Sequence, residues 1–175
     1  MTDSMNVLLE ERVEKARSLF RQGYNCSQSV FLAYSDLLGV EPTLAATLSG
    51  PLGGGMGRLR EVCGAVSGMS LIAGFLAPCP DPTVRESKAA TYALVQSFAE
   101  RFRAENGSIV CRELLGLTCR KEEPVPAERT ADYYRKRPCV ELVACAARIV
   151  GEHLLRAGES AVASEDRDES NEAGR

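Results

Sequence analysis

Apolar side chains recur along this chain at intervals of three and four, the spacing that lines one face of an α-helix. Leu9, Val13, Ala16 and Phe20 share a stripe while Glu10, Glu14, Lys15 and Arg17 face away, which predicts a first helix from about Met5 to Gln22, stopped at Gly23. In Asn25-Cys26-Ser27-Gln28 a capping side chain precedes a glutamine by three residues, the form of a reciprocal capping box. Cys26, Val30, Ala33 and Leu37 make the apolar face of the helix it opens, which Gly39 ends. Pro42 starts a short third helix that closes at Ser49.

From Val62 to Pro80 there is no charged side chain, and Gly64, Gly68 and Gly74 mark the segment. This predicts a helix buried on all sides, with neighbouring backbones packed close to it. The window is long enough to span a bilayer, but Pro78 and Pro80 cut it short and small residues outnumber Leu and Ile. A central helix of a bundle is the better reading.

Thr83-Val84-Arg85-Glu86 again has capping-box form and opens the longest amphipathic helix, to about Glu105, with Leu94, Val95, Phe98 and Phe102 inward. Asn106-Gly107 stops it, and Ser108 caps a short helix from Ile109 to Leu115. Leu117 to Pro126 reads as a charged surface loop, and Ala127 to Lys136 as two or three helical turns bearing Tyr133 and Tyr134. Pro138 sits at the first position of a last helix whose inner face is Cys139, Val143, Ala146 and Val150. No stretch alternates with the period of a strand. The expected architecture is all-α: a single-domain bundle of seven to eight helices around the small-residue central helix over residues 1–157, then a disordered acidic tail over 158–175.

Charge and composition narrow the function classes. The net charge is −3, but the last eighteen residues hold six acids against two arginines, which leaves the helical part at +1 and gives no general attraction for nucleic acid. The acidic stretch from Met1 to Lys15 lacks the features of a secretory signal. Seven cysteines without such a signal predict a reducing compartment, the cytoplasm, where cysteines are more often catalytic, metal-binding or buried than locked in disulfides.

Cys26, Cys63, Cys111 and Cys139 each fall in the first turn of a predicted helix, whereas Cys79 and Cys119 lie in connections and Cys145 in mid-helix. A helix N-terminus favours an anion and so shifts a thiol toward thiolate, the form that attacks disulfides and ligates metals. The four cysteines begin the second, fourth, sixth and eighth predicted helices, so an up-and-down bundle brings them to one end. Three readings follow. In the first, Cys63 is the reactive thiolate of a dithiol protein and Cys26, Cys111 or Cys139 resolves it, with no cofactor and with a redox partner or small-molecule substrate. In the second, the same four hold zinc or an iron–sulfur cluster, although no Cys-x-x-Cys pair is present. The third is a non-enzymatic helical interaction module, pictured as a homodimer, with buried cysteines acting as small hydrophobes.

His153 is the only histidine and lies toward the end of the last helix, where a cation suits the helix dipole. The stretch from Gly53 to Gly57 lacks the strand and the Gly-Lys-Ser or Gly-Lys-Thr of a nucleotide loop. The backbone N–H groups of Gly54, Gly55 and Gly57 beside Arg58 and Arg60 still offer a place for a small anion or a substrate carboxylate.

The ordered set Asn25-Cys26-Ser27-Gln28, Gly53-Gly54-Gly55-Met56-Gly57-Arg58, Cys63-Gly64-Ala65-Val66-Ser67-Gly68, Cys111 with Leu114-Leu115-Gly116, and Cys139 resembles the C_GCAxxG_C_C family of prokaryotic proteins. The likeness runs from about Ala16 to Val150. It implies a redox-active protein whose four characteristic cysteines are Cys26, Cys63, Cys111 and Cys139. Cys79, Cys119, Cys145 and the acidic tail go beyond the family pattern.

Overall fold

The computed structural model describes residues 3–118 and 121–172. Cys119, assigned to a loop by sequence, lies outside them. Eight helices make up the fold: α1 (Asp3–Arg21), α2 (Cys26–Tyr34), α3 (Pro42–Ser49), α4 (Gly64–Leu76), α5 (Arg85–Asn106), α6 (Cys111–Leu114), α7 (Ala131–Lys136) and α8 (Cys139–Glu172). Between α3 and α4 lie a 3-10 turn, Gly50–Leu52, and a glycine turn, Gly53–Met56, in which Gly54 and Gly55 have left-handed φ. No strand forms among the described residues, where one antiparallel bridge pairs Val62 with Val110. No helix of the described residues is long and apolar enough to cross a membrane.

The core follows the apolar stripes. Leu9, Val13, Ala16 and Phe20 of α1 are buried against α8, whose Val143, Ala146 and Val150 are fully enclosed. Phe98 and Phe102 of α5 close a side of the same core, with Leu94 and Val95 half-buried beside them. The Tyr34 hydroxyl, deep between α2 and α8, donates to the Ala147 carbonyl at 2.7 Å, so its one polar group is satisfied where water cannot reach.

Helix α4 packs directly on α2, and its glycines set the distance. A Cβ on Gly68 would stand 2.9 Å from both the Ser27 carbonyl oxygen and the Val30 Cβ, and one on Gly64 would stand 3.1 Å from the Cys26 Cβ. The two glycines of the Cys63 to Gly68 motif therefore fix how closely the start of α4 approaches the start of α2. Gly68→Ala is expected to lower stability by about 1–3 kcal/mol, the usual range for overpacking, as read from urea denaturation. An unchanged midpoint would mean that the two helices separate freely.

Several expectations need correction. The central helix is not buried on all sides: Ala65, Val66, Met69, Ile72 and Ala73 are enclosed, but Phe75 is exposed and meets Phe31 at its rim. Helix α2 stops at Tyr34 and a turn carries the chain to Gly39, which leaves Leu37 exposed. Thr83 does not cap α5, because its N–H and hydroxyl are both taken by Asp81, and Val84 holds the cap position instead. Helix α6 is only four residues long. Helix α8 begins at Cys139 rather than Pro138, and its bounds run to Glu172.

Candidate functional site

The site is built first by the capping box of α2. The Asn25 side chain accepts the Gln28 N–H at 3.0 Å while the Asn25 N–H donates to the Gln28 side chain at 3.0 Å. Both side chains then reach across: Asn25 Nδ2 donates to the Gly50 carbonyl at 2.8 Å and Gln28 Nε2 to the Ala46 carbonyl at 3.0 Å. The cap that starts α2 thus also ties it to the end of α3 and the turn that follows. Gly53 makes room for this, since a Cβ there would lie 2.3 Å from Asn25 Cγ.

The bridge between Val62 and Val110 positions the next two cysteines. Cys63 N–H donates to Ile109 O at 2.8 Å and Cys111 N–H to Glu61 O at 2.6 Å. In an antiparallel pair, these cysteines fall on the same face and one diagonal apart, about 7–8 Å between backbones. Cys63 then caps α4 and Cys111 opens α6. Cys139 opens α8.

Between the glycine turn and the bridge, residues 54 to 58 and Arg60 all have φ between 55° and 68°. Met56, Arg58 and Arg60 are not glycine, so the segment holds strain of about 1–3 kcal/mol per residue. Contacts at the far side of the loop hold it in place. Arg58 pairs with Glu122 at 2.7 Å and bonds to the Glu123 carbonyl, and Arg60 also pairs with Glu122. Arg60 Nη1 points the other way, 3.7 Å from the Cys111 sulfur.

Together these elements enclose one cavity of about 350 Å³, and Cys26, Cys63, Cys111 and Cys139 all line it. Gly54, Gly57, Arg58 and Arg60 form part of its wall, with Arg129, Tyr133 and Arg137 opposite. The convergence read from alternate helices is therefore present in the fold, although α6 is too short to carry a useful dipole and Arg60 stands in its place beside Cys111. All six described cysteines are free thiols.

The four thiols differ sharply in acidity. Burial pushes Cys63 up to about 12, although the N–H groups of Ala65 and Val66 favour its anion. Burial also raises Cys111 against the pull of Arg60. Cys139 alone is lowered, to about 7, first by a hydrogen bond from Cys26 and then by the charges of Arg137, Arg129 and Arg60, against the cost of burial. Cys26 rises correspondingly, since it keeps the shared proton. At Cys63, which the sequence reading makes the reactive thiolate from its place at a helix mouth, desolvation thus acts against the helix terminus.

The remaining candidates separate from the cavity. His153 packs edge-on against Phe98 and is not among the lining residues; burial lowers its basicity. Cys145 faces Asn106 and Glu105 on another side of the bundle, with its thiol raised to about 11. In the glycine turn the N–H group of Gly57 is already bonded to the Pro51 carbonyl, and those of Leu59, Arg60 and Glu61 to carbonyls of the same segment. Among the described residues, no group of three or more His, Cys, Asp or Glu side chains is arranged to hold a metal ion.

Arg129, Arg137, Glu122 and Tyr133 were not legible as site residues. Arg137 precedes the Pro138-Cys139 pair, a local signal for a cationic neighbour of that thiol. Arg129 and Glu122 sit in a segment with no periodic pattern, and only the tertiary fold brings Arg129 to the cavity and Glu122 behind its wall, against Arg58 and Arg60.

A family model described as "Putative redox-active protein (C_GCAxxG_C_C)" matches residues 24–153. No curated protein and no solved structure matches the chain.

Proposed function

This chain belongs to the C_GCAxxG_C_C family, whose model spans residues 24–153, and on that premise we propose that it is a thiol–disulfide redox protein in which Cys139 and Cys26 are the exchanging pair. One observation carries this reading: in a cavity that holds all four cysteines, the Cys139 thiol is hydrogen-bonded by Cys26, faced by arginines and lowered to about 7. A thiol with a pKa near ambient pH combines a large thiolate fraction with good intrinsic nucleophilicity.

The chemistry balances with a disulfide as the oxidant. The Cys139 thiolate attacks one sulfur of the substrate disulfide, forms a mixed disulfide and releases the other half as a thiolate. Cys26 loses its proton to that leaving thiolate and attacks the Cys139 sulfur. A Cys26–Cys139 disulfide forms and the second substrate thiolate leaves, to be protonated by solvent. Two electrons pass from the dithiol to the substrate, which ends as two thiols. Cys63 and Cys111, raised by burial, remain protonated and serve as a reserve pair across the Val62–Val110 bridge. The reading assumes a reducing compartment such as the cytoplasm, where a dithiol is regenerated.

Alkylation by iodoacetamide across pH, followed residue by residue by mass spectrometry, tests the assignment. The Cys139 rate should rise with a midpoint near pH 7 and fall about tenfold per unit well below it, because only the thiolate reacts. A midpoint near the ordinary thiol value of about 8.5, or faster labelling of Cys63, would contradict the assignment.

A further inference from the structure

We infer that the arginine wall of the cavity is a binding site for the acidic groups of a low-molecular-weight disulfide, which makes the substrate class small and anionic. This deepens the exchange reading and rests on it. Arg58, Arg60, Arg129 and Arg137 line the cavity, and among the described residues no Asp or Glu does. Behind the wall, the single carboxylate of Glu122 meets both Arg58 and Arg60. Arg129 is held by the carbonyls of Phe20 and Tyr24 and lies over the Phe20 and Tyr133 rings, contacts that orient a guanidinium without neutralising it. Arg137 also lies over the Tyr133 ring, 4.9 Å from its centroid, and no carboxylate pairs with it among the described residues. Four cations thus share one carboxylate around a partly enclosed space, in a chain whose net charge is −3.

The same wall also carries an unsatisfied donor. Arg60 is 3% exposed, yet its Nε–H is buried with no acceptor among the described residues. Buried donors of this kind are rare because an unmade hydrogen bond is costly. Backbone strain at Arg58 and Arg60 is tolerated in the same place. A carboxylate in the cavity offsets the excess charge, with bidentate geometry available from the planar guanidinium of Arg137.

Size and chemistry restrict the occupant further. About 350 Å³ holds a small molecule and not a loop of a folded protein with its flanks. An anionic disulfide approaching a thiolate is ordinarily repelled. The arginine wall reverses that field at Cys139, so the site accepts the class of disulfide that a bare thiolate handles worst.

Two arms test the inference. In the first, suberate, the sulfur-free counterpart of 3,3′-dithiodipropionate, is titrated into Cys139→Ser protein by calorimetry, with 1,6-hexanediamine as the cationic control. Saturable suberate binding, weakened at least ~5-fold by adding Arg137→Gln and absent for the diamine, is the expected result. In the second, reduced wild-type protein reacts with 3,3′-dithiodipropionate, hydroxyethyl disulfide and cystamine, each rate being divided by that of free cysteine. The dianion should exceed the neutral disulfide by ~10-fold or more and the dication should be slowest, with the order compressed at high salt. No suberate binding, or binding indifferent to Arg137→Gln, overturns the anion site. Reduction of all three disulfides without charge order overturns the substrate class and leaves the exchange reading standing. Suberate binding in a protein that reduces none of them supports the site and overturns the exchange reading.

Discussion

Cys139→Ser is expected to lower the rate at which the reduced protein reduces a small disulfide at pH 7 by at least ~100-fold, since a hydroxyl at that position cannot form the mixed disulfide. The thiol it replaces is the one whose pKa the cavity lowers, to about 7, through Cys26 and three arginines. Cys63→Ser, by contrast, should change the rate by less than ~3-fold, because that thiol is pushed up to about 12 and is almost wholly protonated at neutral pH. Cys26→Ser divides the two steps. It leaves attack by Cys139 possible but removes the resolving sulfur, so the mixed disulfide should accumulate to about one equivalent on Cys139, read by intact mass. Because Cys63 and Cys139 are both buried, each variant is first checked for an unchanged circular dichroism spectrum and urea midpoint. Equal losses in Cys63→Ser and Cys139→Ser would return the nucleophile to the helix mouth.

Gly55→Val should have the largest effect on stability, a loss of about 3 kcal/mol or more. Gly55 has φ +67°, and a Cβ there would stand 2.7 Å from the Cys111 Cβ and 2.8 Å from the Glu61 backbone nitrogen. A backbone neighbour cannot rotate away. The bridge that sets Cys63 beside Cys111 therefore has to shift with it, and Arg60 along with the bridge. Gly54→Ala provides the comparison, for Gly54 has nearly the same φ but its nearest neighbour is the flexible Arg58 side chain at 3.2 Å. Its cost should stay near ~1 kcal/mol, the backbone preference alone. Urea denaturation of the two variants measures the difference, and equal losses would mean that strain in the turn outweighs the contact with Cys111.

What the sequence made legible is local chemistry. The α1 stripe from Leu9 to Phe20, the capping box of Asn25 and Gln28, and the stop at Gly107 each depend on residues within one or two turns, and each is present as read. The all-α class follows from the same helical periods. The grouping of four cysteines was legible for a partly different reason than the one that holds. Alternate helices do start near one another, but the Val62–Val110 bridge and the close approach allowed by Gly64 and Gly68 set the actual arrangement. Neither can be read from helix order.

Acidity was not legible at all, because it depends on enclosure. A cysteine at a helix mouth looks the same in sequence whether water reaches it or not, so the choice of Cys63 ahead of Cys139 took no account of burial. The same holds for Arg129, drawn to the cavity from a stretch that reads as helical turns, and for Glu122, drawn behind its wall from one that reads as surface loop. Thr83 fails for a smaller reason: the capping pattern was correct in form, but Asp81 competes for the same groups two residues away.

Disulfide mapping after addition of one equivalent of a small disulfide to anaerobically purified, fully reduced protein, with metal content measured on the same sample, tests the central claim most directly. The pairing of Cys139 with Cys26 in one cavity predicts a Cys26–Cys139 peptide cross-link as the main product. A Cys63–Cys111 cross-link in its place, or four unreacted thiolates holding stoichiometric zinc or an iron–sulfur cluster, would contradict it.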